Sequence, residues 1–91
     1  MRTSGNPRLR QALLEVVENQ LRDGNPPETR TTLARLMGAG HSRAEAVELL
    51  AAVVAAEVFD VLKAGRPYDR DRYVAALAGL PRLPGEQPAQ E

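Results

Sequence analysis

At Ser42 the chain writes a helix start and then runs some twenty residues with almost no polar relief. Ser42-Arg43-Ala44-Glu45 is a capping box: the serine hydroxyl accepts from the amide of Glu45, and the glutamate carboxylate reaches back to the amide of Ser42. From Ala44 to Leu62 every residue is Ala, Val or Leu except Glu45, Glu48, Glu57, Phe59 and Asp60. Gly65 supplies a left-handed stop, and Pro67 forbids the helix to resume. On a helical wheel Val47, Leu50, Val54, Val58 and Val61 share one face, which Ala51, Ala55 and Leu62 extend. The opposite side carries Glu45, Glu48, Asp60 and Lys63, but also Leu49, Ala52, Val53, Ala56 and Phe59. A surface helix would be polar there. A chain of 91 residues has little with which to surround such a helix. It is expected to be the central strut of a small helical domain, with Leu49, Val53, Ala56 and Phe59 as the contact surface for a second subunit or another protein.

The remaining elements follow from punctuation. Asn6-Pro7 opens a first helix, with Asn as N-cap and Pro at the first helical position. Leu9, Leu13, Leu14, Val16, Val17 and Leu21 form its apolar stripe, and Asp23-Gly24 stops it. Asn25-Pro26-Pro27 makes an extended turn, because each proline disfavours helix in the residue before it. A short second helix runs from Pro27 to Gly38, anchored by Leu33, Leu36 and Met37. Asp69 caps a fourth helix with Tyr73, Val74 and Leu77 inward, and Leu80-Pro81 ends the fold. The pattern predicts an all-α bundle of four helices spanning 6–81, its short connections making neighbours roughly antiparallel. Residues 1–5 and the Pro-rich stretch 82–91 read as disordered.

Composition narrows the function. Twelve basic and twelve acidic residues cancel, whereas duplex nucleic acid asks for a basic excess on one face. Arg2, Arg8 and Arg10 cluster near the start, and the helix two–turn–helix three segment resembles a helix-turn-helix. That geometry would place Arg43, Glu45, Val47 and Glu48 in the major groove, and two carboxylates facing phosphate argue against it. With no Cys there is neither a disulfide nor a thiolate metal site. Glu57 and Asp60 interrupt the apolar run, which rules it out as a membrane span. No apolar run follows Arg2, so a signal peptide is not expected and the reading is cytoplasmic. The bias to Arg, with Lys63 the only lysine and with high Ala and Gly, points to a GC-rich bacterial genome.

Few residues offer chemistry. His41, the only histidine, precedes the cap of helix three, and with Glu45 and Glu48 it would supply three metal ligands. Glu45 is already explained by capping, however, so loop structure is the simpler account. Glu57 sits at the edge of the apolar stripe and needs a partner. Either it lines a small polar site with Glu18, or it pairs with Arg35 or Arg43 and orders the packing, and the second is the commoner use of such a carboxylate. Ser4 and Ser42 lack a His–Asp partnership, and Gly38 and Gly40 lack the further Gly and the Lys of a phosphate loop. Neither an enzyme nor a cofactor is expected.

Asn6-Pro7, Glu18-Asn19-Gln20, Asn25-Pro26-Pro27, Arg35-Leu36, Gly40, Arg43, Glu45-Ala46, Val53, Glu57, Tyr73 and Leu80-Pro81 together resemble a family of small bacterial all-helical domains of unknown function. The resemblance runs from Asn6 to Pro81. It implies a His-x-x-x-His pair on the first helix and further His near the start of the third, where this chain has Arg10, Leu14, Ala44 and Glu48. If the family binds metal, this member has lost the imidazoles and keeps only the oxygens of Glu18, Glu45, Glu48 and Glu57. The leading expectation is a non-enzymatic interaction or structural module, a homodimer or the partner of a larger protein. A degenerate carboxylate metal site is the alternative, and nucleic-acid binding stands third.

Overall fold

The computed structural model describes residues 7–83 and is all helical. Four helices follow one another: α1 (Pro7–Asp23), α2 (Pro27–Gly38), α3 (Arg43–Ala64) and α4 (Arg70–Gly79). No strand occurs among the described residues, and none of their helices is long and apolar enough to cross a membrane. The longest element, α3, has 22 residues and packs against each of the other three.

The capping box forms as written: Ser42 Oγ accepts from the Glu45 amide, and the Ser42 amide donates to Glu45 Oε1, both at 3.0 Å. Gly65 ends α3 at φ +68°, in the left-handed region that suits a residue without Cβ. The α1–α2 turn is tighter. Gly24 has φ +67°, and the Arg30 guanidinium lies directly over it, so a Cβ there would stand 3.0 Å from Nη1. Arg30 is held there because it donates to the last carbonyls of α1, Leu21 O at 2.6 Å and Arg22 O at 2.8 Å. Those groups have no partner within the helix itself.

The core is built from Val17 and Leu21 of α1, Leu36 of α2, Tyr73 and Leu77 of α4, Leu80 beyond it, and the buried face of α3. On α3 this face comprises Ala46, Val47, Leu50, Ala51, Val53 and Val54. Two polar knots fasten the layers. Gln20 Oε1 accepts from Thr29 Oγ1 at 2.8 Å and from the Tyr73 hydroxyl at 3.0 Å, joining α1, α2 and α4. Arg35 of α2 donates to Leu80 O at 2.8 Å and Leu77 O at 3.1 Å, satisfying carbonyls at the end of α4.

Several expected positions shift. On α1, Leu9 and Val16 are exposed, because the inner face is set by Val17 and Leu21 with Leu13 and Leu14 beside them. On α2, Met37 is exposed and Thr29 and Thr32 are buried, and Thr29 forms the knot to Gln20. The fold also extends past Pro81: the Arg82 amide donates to Gly79 O at 3.0 Å, and Leu83 packs on the core. Residues 1–6, with the expected Asn6 cap, and 84–91 lie outside the described residues.

Candidate functional site

The candidate polar residues separate into distinct places rather than converging. Glu18 takes both guanidinium nitrogens of Arg43, at 2.9 and 3.1 Å, beside a hollow between α1 and α3 that Leu14, Val47 and Glu48 also line. These hydrogen bonds hold the Glu18 carboxyl below its usual pKa and raise that of Arg43. Glu57 lies on the other side of α3, in a cleft of about 330 Å³ against α4. There is accordingly no common site of Glu18 and Glu57.

The partner of Glu57 also differs from both expectations. It is Arg72, which donates through Nε at 3.1 Å and through Nη2 at 2.7 Å, while the Asp69 amide donates to the same carboxylate at 3.3 Å. Arg43 is occupied by Glu18 and Arg35 by the carbonyls of α4. The bidentate contact raises the Arg72 pKa further. Asp60 extends the cluster, with Arg66 at 2.6 Å and Arg72 at 3.5 Å. The signal that would have found Arg72 is the five-residue link 65–69. So short a link returns the start of α4 alongside the last turns of α3, next to Glu57 and Asp60.

His41, Glu45 and Glu48 do border one hollow, with Leu49, Ala52, Pro81 and Leu83. Glu45 is engaged in the capping box, with His41 Nδ1 3.8 Å from its Oε1. Glu48 is paired with Arg10. Among the described residues no three His, Cys, Asp or Glu side chains are grouped to hold a metal ion. The helix-turn-helix surface fares similarly: Val47 is buried and Arg43 is turned to α1. Of the early arginines, Arg10 is paired with Glu48 and Arg2 lies outside the described residues.

What remains is an apolar groove of about 510 Å³ between the start of α1 and the second half of α3. Its walls are Leu9, Leu13, Ala52, Ala55, Ala56, Val58, Phe59 and Leu62. Leu62 is 77% exposed, Phe59 63% and Leu9 57%. Single exposed apolar residues are ordinary, but a contiguous group marks a contact surface. The expected strip Leu49, Val53, Ala56 and Phe59 is only partly on this surface. Val53 is 1% exposed and belongs to the core, because α4 and its Tyr73 cover that side of α3. Leu49 and Ala56 are half-buried, and Phe59 is open. Val58 and Leu62, which the wheel assigned to the core face, stand uncovered instead. The sequence reading missed them because it could not tell how far along α3 its neighbours reach. Comparison of the chain with models of known protein families, with curated proteins and with solved structures finds no match.

Proposed function

We propose that this chain is a small, non-enzymatic interaction module that self-associates through the outer side of α3. The observation that carries this reading is the contiguous exposure of Val58, Phe59 and Leu62 on α3 beside Leu9 on α1. Fully burying one such side chain is worth about 1.5–3 kcal/mol. A two-fold axis counts every contact twice, against an association cost of about 4–15 kcal/mol. The residues behind the resemblance to small bacterial helical domains support the same reading. Glu18, Gln20, Arg35, Arg43, Glu45, Glu57 and Tyr73 are all engaged in caps, ion pairs or polar knots within the chain.

Light scattering across a range of concentrations tests the proposal. The expected result is a dimer that dissociates on dilution, and a Leu62→Glu variant that is monomeric with unchanged helicity. A folded wild-type chain that stays monomeric at every concentration would overturn self-association.

A further inference from the structure

We infer that the groove receives the α3 of a second copy running antiparallel, with the two-fold axis passing by Ala55 and Ala56. This rests on the self-association proposed above and adds orientation and register to it. The outer stripe of α3 reads Glu48, Ala52, Ala55, Phe59, Leu62, at alternating spacings of four and three, which is one continuous line on a helix. The stripe is stepped: small in its first half and bulky in its second. In a parallel pair Phe59 would meet Phe59 and Leu62 would meet Leu62, holding the alanines apart across a gap. Turning one copy round fits the steps together. Phe59 then lies over Ala52, Leu62 beside Leu49, and Ala55 against Ala56 near the axis, where small side chains let two helices approach closely.

Charge selects the same orientation. The stripe is acidic at its start, with Glu48, which also holds Arg10 of its own chain, and basic just past Leu62, with Lys63. Parallel packing would set like charge against like at both ends, at a cost in specificity as well as stability. In the antiparallel register Lys63 comes opposite Glu48 of the second copy. Among the described residues Lys63 makes no ion pair within its own chain. Its ammonium lies 5.5 Å from the centre of the Phe59 ring, at the end of the apolar stripe.

The chain contains no cysteine, so introduced thiols are read without background. Ala55→Cys, Lys63→Cys and Glu48→Cys are prepared in the full chain and treated with a short thiol-reactive cross-linker. Light scattering is run on each in parallel. The inference expects efficient covalent dimers from Ala55→Cys, none from Lys63→Cys alone, and dimers again when Lys63→Cys is mixed with Glu48→Cys. Non-covalently, Lys63→Glu weakens association by roughly two- to fivefold, and adding Glu48→Lys restores it. A dimer by mass in which Lys63→Cys links to itself, or Ala55→Cys does not link, overturns the antiparallel register and leaves self-association standing. A chain that is monomeric throughout overturns both.

Discussion

The two halves of α3 have nearly the same composition and opposite surroundings. From Arg43 to Val54 the helix is capped by Ser42, tied to α1 through Arg43–Glu18 and Glu48–Arg10, and contributes six buried side chains. From Ala55 to Ala64 it has no buried residue, although six of those ten positions are Val, Leu or Ala and a seventh is Phe. The difference is one of reach. At about 1.5 Å per residue α3 is roughly 33 Å long, whereas α2 is about 18 Å and α4 about 15 Å. Along its second half α3 has the start of α4 on one side, at Glu57 and Asp60, and the start of α1 on another, and the side carrying Val58, Phe59 and Leu62 is left open. The same hydrophobic letters therefore build a core in one half and an exposed apolar face in the other.

The sharpest break of this comparison is a pair of matched truncations. Leu50→Ala removes a fully buried side chain from the first half and is expected to cost about 2–5 kcal/mol. Leu62→Ala removes the most exposed large apolar side chain of the second half and is expected to shift monomer stability by less than about 0.5 kcal/mol. Urea denaturation of the dilute monomer measures both. Equal losses would mean that the second half is covered within the chain, and the contrast between the halves would be gone.

Smaller effects sharpen the picture of the closed half. Ser42→Ala removes one bond of the capping box and is expected to cost about 1 kcal/mol. This should show as a drop in Tm of some 4–8 °C in a domain of this size. Tyr73 reports on the α1–α2–α4 knot through its bond to Gln20. Burial raises its pKa above the ordinary value of 10.0. The neutral phenol is thus favoured by folding, and the stability it contributes is complete below the ordinary value and lost as pH rises through the higher folded value. Denaturation midpoints followed into the alkaline range should fall in the wild type, and more gently in Tyr73→Phe. That variant is expected to lose about 0.5–1.5 kcal/mol at neutral pH for its missing hydrogen bond. Parallel alkaline curves for the two would assign the loss to another group.

How much of this was legible in the sequence follows the range of the forces involved. The caps and stops were readable because each is local: Ser42 with Glu45, Asp69 with Arg72, Gly24 and Gly65. The burial of Leu36, Leu50 and Leu77 followed from periodicity. What could not be read was which side of an all-round apolar helix each neighbour occupies. That choice buried Val53 and exposed Val58 and Leu62. It also brought Arg72, 15 residues away in the chain, to Glu57. A carboxylate on an apolar stripe announces that it needs a cation, but the sequence does not rank a dozen basic residues by distance. Thr29 and Thr32 show the converse: buried polar residues follow no apolar period, and only the presence of Gln20 opposite Thr29 explains the choice there.

The smallest expected effect concerns the ion pair that fastens the closed half of α3 to α1. Arg43 holds the Glu18 carboxyl below the ordinary value of 4.5. A carboxylate whose pKa is depressed by folding stabilises the native state above its unfolded pKa, and that contribution disappears as pH falls through the folded value. Both side chains are about half exposed, so solvent and salt screen the pair, leaving a few tenths of a kcal/mol. Thermal melts taken from neutral pH downward should show an acid-side fall in stability that Glu18→Gln reduces and that added salt also reduces. The equivalent change on the open half, Lys63→Gln in the monomer, should leave the acid profile unchanged, since no carboxylate of the described chain pairs with Lys63. At concentrations where the proposed dimer forms, the two variants should exchange roles: Glu18→Gln leaves association unaffected, and Lys63→Gln weakens it. An ion pair within the fold and a charge proposed to meet a second copy are thereby separated by protein concentration alone.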